Sequence, residues 1–341
     1  MKSKILSKAS CLMISACMLF TWQVKCQISP HINADVDDLK MLKGRTMVVE
    51  LFEEDQKVVD KLTKKNKTDE LAMYRNFIST YNADIKIAVD KYWTLNKKIE
   101  YKKKSELTDI IGNSKDYVIM FYRELGDIDM DLSVSSLSVP VIAYNRSERS
   151  QKKDPDEEIY LPPVSYPKDA NKASYFGYTQ SSYNFAIREM QANIQYMLKM
   201  NKKIIYEDYA CKMSDENKCK KLQQSNILIL KSELDPKSSS KDMKDMKDAY
   251  NGPFQFVEDK DFIDAFVNET DGKSDMFILP WGLAKGSFGP ISQTSLVFMK
   301  VIIDCKTGDV LYAHKAGMME GEEMMRVIKP VTFEHMDKCK S

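Results

Sequence analysis

The chain has few of the residues and motifs that most enzymes use for chemistry. Three histidines occur in 341 residues. No Gly-x-Gly-x-x-Gly follows a strand-like run, and Gly286-Ser287-Phe288-Gly289 lacks the Lys-Ser/Thr ending of a phosphate loop. A Gly-x-Ser-x-Gly elbow, a His-Glu-x-x-His helix and an EF-hand loop are absent too, and without Cys-x-x-Cys neither a thioredoxin-type redox site nor a zinc knuckle is supported. No catalytic residue, metal ligand or cofactor is therefore assigned. An excess of one charge is also missing: 51 Lys and Arg face 50 Asp and Glu, which leaves no electrostatic footprint for nucleic acid.

Apolar runs are short. Lys2, Lys4 and Lys8 precede one from Ala9 to about Val24, and the small Cys26 stands before a cleavage point at Gln27. This is signal-peptide grammar over residues 1–26, and the run, closed by Lys25, is not followed by a later one of the ~20 residues a membrane helix needs. An exported protein, periplasmic or secreted, is expected. Ile14-Ser15-Ala16-Cys17 offers a rival, a lipoprotein anchored at Cys17, but Met18 to Trp22 stays apolar where such a chain turns polar. The leader holds four of the 51 basic residues and no acid, so 47 bases and 50 acids remain. Residues 27–36 read as a flexible polar leader.

What is present is a pattern that occurs twice. Leu42 to Val49 is echoed by Leu222 to Ile229, each a Leu, polar or small linkers and an apolar run. Ile99-Glu100-Tyr101 and the helix-like Glu106 to Ile111 match Phe254-Gln255-Phe256 and Asp261 to Phe266; Tyr117 to Tyr122 matches Met276 to Trp281. The expected architecture is α/β (α+β): two tandem duplicated domains, residues 37–200 and 216–341, joined by a linker at 201–215. Each is a mixed sheet of order β-α-β-α-β-β-β-α.

In the first copy, Met47 to Phe52 is a strand and Leu71 to Trp93 an amphipathic helix, with Phe77, Tyr81, Ile85, Ala88 and Val89 at helical spacing. Ile99 to Lys102 and Tyr117 to Tyr122 are strands flanking a short helix capped by Ser105. Ser133 to Tyr144 is β-rich, with Pro140 marking an edge or a strand start. A helix from Tyr183 to Met200 closes the unit. In the second copy, Ile227 to Leu230, Phe254 to Val257 and Met276 to Trp281 are strands, with helices over Lys241 to Tyr250 and Asp261 to Asn268. Leu296 to Ile303 and Val310 to Ala313 form a hairpin around Gly308, and a helical tail is interrupted at Pro330.

This order of elements resembles the small α/β domains of periplasmic assembly proteins such as the amino-terminal domain of TolB or the core of the curli secretion lipoprotein CsgG, without a shared motif. The Lys-rich start, cleavage before Gln and Lys/Asn/Ile-rich composition resemble secreted proteins of Bacteroidetes.

Four cysteines lie beyond the leader, and an exported chain invites disulfides: Cys211 with Cys219 across a polar loop, Cys305 with Cys339. Cys305 and His314 flank the hairpin turn, where a catalytic pair is conceivable but unsupported by an orienting third group. The 21 methionines, including Met318, Met319, Met324 and Met325 near His314, contain ligand types for Cu(I) but fit core packing better. Aromatics concentrate in two stretches: Tyr160, Tyr166, Tyr175, Phe176 and Tyr178 among prolines, and Trp281 and Phe288 among glycines. They either plug the domain interface or line a ligand groove. The expectation is a non-catalytic binding protein whose partner is a protein or an envelope component. The alternative is a glycan or small molecule in the interdomain cleft, with an exported enzyme or a copper protein behind it.

Overall fold

Met47, Val48, Val49 and Leu51 form a strand, β1 (Thr46–Leu51), whose apolar side chains are buried on both faces, as a strand covered on each side requires. The computed structural model describes residues 36–107, 110, 116–125, 137–144, 157–160, 179–217, 221–235, 237–288, 291–315 and 327–338. The expected signal peptide lies outside the described residues. Around β1 run α1 (Val36–Leu42), α2 (Gln56–Lys64), α3 (Thr68–Tyr92), β2 (Ile99–Lys103), β3 (Tyr117–Leu125), β4 (Leu137–Tyr144), β5 (Glu157–Tyr160) and α4 (Gln180–Met200). The second half comprises α5 (Tyr206–Asn217), β6 (Asn226–Leu230), α6 (Ser240–Ala249), β7 (Phe254–Val257), α7 (Asp259–Val267), β8 (Lys273–Phe288), β9 (Ile291–Asp304), β10 (Val310–Lys315) and α8 (Pro330–Lys338).

The fold is mixed α/β with two sheets. One has the order β2-β1-β3-β4-β5 and the other, read from its β7 end, β7-β6-β8-β9-β10. In each, the first strand lies parallel to both neighbours and the last two pairings are antiparallel. Met47 stands opposite Ile99 as Ile227 stands opposite Phe254. The entry bonds match as well: Thr46 N–H donates to Asp116 O at 2.8 Å and Asn226 N–H to Gly272 O at 2.9 Å. The third strands depart from the expected alignment. Tyr117 pairs with Thr46 where Lys273, not Met276, pairs with Asn226, because β8 starts on the polar Lys273-Ser274-Asp275 rather than on its apolar run.

Side-chain alternation assigns the layers. In the second sheet Leu228, Leu230, Phe277, Leu279, Val301 and Ile303 face one core. Ile227, Ile229, Met276, Ile278 and Ile302 face another, with Met246 of α6 and Phe333 and Met336 of α8. The first core also takes in Met47, Val49, Val118 and Met120 of the first sheet, so one continuous core joins the two halves. Its centre is α4, where Phe185, Ala186, Ile187, Met190, Ile194 and Met197 are all buried. A helix apolar on so many sides belongs inside. Tyr183 meets Tyr81 of α3 edge-on at 5.6 Å, while Phe185 stacks on Phe277 of β8 at 4.3 Å. The expected two-domain division therefore falls across a shared interior.

Both sheets extend a ribbon. Only Lys273 to Asp275 of β8 pair with β6, and β10 pairs with β9 from Met299 to Ile303. Beyond them Gly282 to Phe288 pair with Val297 to Ile291, with no third strand among the described residues. Arg123 to Leu125 likewise pair with Val139 to Leu137 beyond the reach of β1 and β5. Pro140 faces Tyr122 on one side and lies outside the β5 pairing on the other, which is where a strand tolerates a missing N–H.

Several expectations need correction. The linker at 201–215 is largely helix α5, anchored by Tyr206, Tyr209 and Ala210, buried at i, i+3 and i+4. Ser105 lies inside a 3₁₀ turn, Lys104–Glu106, and its N–H and hydroxyl donate to Glu53; most of the helix expected after it lies outside the described residues. Pro330 opens α8, a position where a missing N–H costs nothing; the helical stretch expected before it lies largely outside the described residues. Cys211 and Cys305 are free thiols, so no disulfide occurs among the described cysteines; Cys219 and Cys339, their expected partners, lie outside the described residues. Among those residues no helix is long and apolar enough to cross a membrane.

Candidate functional site

The β9–β10 turn is fixed locally. Oδ1 of Asp304 accepts from the N–H groups of Lys306 at 3.0 Å and Thr307 at 2.7 Å, and Gly308 N–H returns to Asp304 O at 2.9 Å. Gly308 takes φ +74°, open to glycine at little cost. A Cβ there would lie 1.9 Å from Nε of Arg188. That close approach lets the guanidinium of α4 donate to two carbonyls of the turn, Nη1 to Cys305 at 3.2 Å and Nη2 to Lys306 at 3.0 Å. Arg188 also lies over the rings of Tyr92 and Phe266, so one side chain ties α3 and α4 to α7 and the hairpin.

Beside this clamp is a cavity of about 330 Å³, walled by the end of α3, the middle of α4, α5 and the hairpin. Glu189 is its buried charged group. Tyr206 of α5 donates to Oε2 at 3.0 Å, while Oε1 has no hydrogen-bond partner. Burial pushes this carboxyl up to about 7; Tyr206 and Arg188 pull it down and Asp309 adds to the rise. Burial also raises Tyr209, with Glu189 and Asp309 adding to the shift. The remaining charges are engaged. Lys91 lies 3.0 Å from Glu269, and Lys221 holds Asp309 at 2.6 Å. At Lys91, burial works against the charge, but bonds to Glu269 and Tyr92 outweigh it and the net shift is upward.

The described aromatic candidates do not all share one sheet. Tyr160 ends β5, and Trp281 and Phe288 lie on β8, in the other sheet; Tyr166, Tyr175, Phe176 and Tyr178 lie outside the described residues. The cavity is formed instead by residues that apolar periodicity passed over. A signal was present, since Arg188-Glu189 interrupts the apolar series of α4.

Cys305 and His314 are not paired either. His314 stands opposite Lys300 and its ring centre lies 4.3 Å from that of His335. The Cys305 thiol faces Asp275 in a buried setting; burial drives the thiol upward and the carboxyl well above its usual range. Such a pair lacks the thiolate that a nucleophile requires. No group of three or more His, Cys, Asp and Glu among the described residues is placed to hold a metal ion. Chemically, the cavity wall holds a buried carboxyl with one unpartnered oxygen, set among engaged charges and tyrosines. The chain matches no protein-family model, and no curated protein or solved structure matches it.

Proposed function

We propose that this chain is a non-catalytic, exported binding protein, a tandem duplication of one α/β unit, that engages a partner protein or envelope component through its two β-ribbons. The observation that carries the reading is the length of β8 and β9: 16 and 14 residues, against three that β8 pairs with β6. A ribbon that outruns its sheet presents backbone N–H and C=O groups along its edges, the template on which an extended partner segment adds as a strand. The β3–β4 pair repeats the arrangement in the first half, and the equal strand order of the sheets supports duplication. The shared core around α4 contains the bases of both ribbons, Val118 and Met120 of β3 and Phe277 and Leu279 of β8, which limits the ordering cost of two-point binding.

A photo-crosslinking amino acid placed at Arg123 or Lys285 tests this in cells that produce the protein, with Lys244 on the charged face of α6 as the control. Discrete adducts from the two ribbon positions and none from Lys244 are expected. No adduct, or the same adducts from all three, contradicts the reading.

A further inference from the structure

We propose that the cavity between the two halves binds a neutral, hydroxyl-rich small molecule of about monosaccharide size, anchored by the Glu189 carboxyl. Glu189 is buried on α4 and belongs to the cavity wall, with Oε2 taken by Tyr206 and Oε1 buried without a hydrogen-bond partner. A buried carboxyl oxygen with no donor destabilises the fold, and a ligand hydroxyl placed there removes that cost.

The surrounding charges select among ligands. An anion would need a cation with capacity to spare, yet Arg188 is spent on the carbonyls of Cys305 and Lys306 and Lys91 on Glu269. A cation would reach Glu189 next to the Arg188 guanidinium, whose field already acts on that carboxyl, and with Lys91 on the same wall. A hydroxyl meets neither obstacle: it donates to Oε1 without adding charge. Tyr209, Ala192 and Met213 add an apolar side for the C–H face of a ring. The volume of about 330 Å³ is at the low end for small-molecule sites, enough for one sugar or cyclitol and too little to enclose a chain.

Isothermal titration of the full chain with glucose, galactose, N-acetylglucosamine and myo-inositol is the test, with phosphate, citrate and putrescine as charged controls. Saturable binding of at least one neutral probe is expected. At pH 8, where Glu189 is ionised, it should weaken about tenfold in Glu189→Gln, as a charge-assisted bond becomes a neutral one, and vanish in Ala192→Trp, which fills the cavity; an unchanged circular dichroism spectrum shows each variant folded. Failure of all four neutral probes to saturate, tighter binding of a charged control, or equal affinity in wild type and both variants overturns the proposal.

Discussion

The Cα of Gly308 approaches the Arg188 side chain so closely that a Cβ on it would lie 1.9 Å from Nε. Two halves of the chain are fastened at this point, since Arg188 belongs to α4 and Gly308 to the turn between β9 and β10. Gly308→Ala would meet both a left-handed backbone, φ +74°, and the guanidinium. The backbone term costs roughly 1–2 kcal/mol, and displacing Arg188 weakens two charge-assisted bonds, so a total of about 2–4 kcal/mol is expected. Urea unfolding of wild type and variant measures it; a change within about 0.5 kcal/mol, the range of an ordinary surface substitution, would show that the clamp contributes nothing.

Glu189 gives the fold a pH dependence of definite sign. Its carboxyl rises from the ordinary 4.5 to about 7 on folding, so between these values the folded state keeps a proton that the unfolded chain has released. The contribution is fully present below about pH 4.5 and is lost as pH rises through about 7, on the order of 3 kcal/mol in all. Glu189→Gln keeps an acceptor for Tyr206 and removes the titration. Melting temperatures of the two proteins should converge near pH 5 and separate near pH 8, with the variant higher. Parallel curves across this range would contradict the assignment.

The cysteines provide a chemical check. Cys305 is buried against Asp275 and Cys211 is half-buried on α5, and both thiols are raised by burial. A thiol-specific reagent should leave Cys305 untouched in native protein and label both after denaturation without reductant, as read by peptide mass spectrometry. Either residue recovered in a disulfide-linked peptide would restore the bridging expected from cysteine spacing.

Local order was legible wherever burial imposes a period. Met47 to Val49 and Ile227 to Leu230 announce strands, Phe77, Tyr81, Ile85 and Val89 announce α3, and the echo of Leu42 by Leu222 places Met47 and Ile227 in equivalent registers. The echo failed at the third strand because the polar start of β8 carries no hydrophobic signal. Helix α5 was readable from Tyr206, Tyr209 and Ala210, but the flanking charges of Lys202, Lys203, Glu207 and Asp208 hid it as a linker. The cavity was not legible. It depends on Arg188 and Glu189 meeting Cys305 to Asp309, more than a hundred residues later, and pattern along the chain does not report such contacts. Aromatic clusters drew attention instead, although large rings go where burial is available, and Phe185 and Tyr183 spend theirs on opposite halves of the core.

The most direct test of the account is calorimetric unfolding of wild type and Phe185→Ala. If α4 joins both sheets through one interior, the wild type melts in a single transition with equal calorimetric and van't Hoff enthalpies. Loss of the Phe185 stack on Phe277, about 3–5 kcal/mol, then lowers that whole transition as one. Two transitions in the wild type, or a variant in which only part of the heat absorption moves while the rest stays in place, would show that the halves are independent domains and that α4 does not unite them.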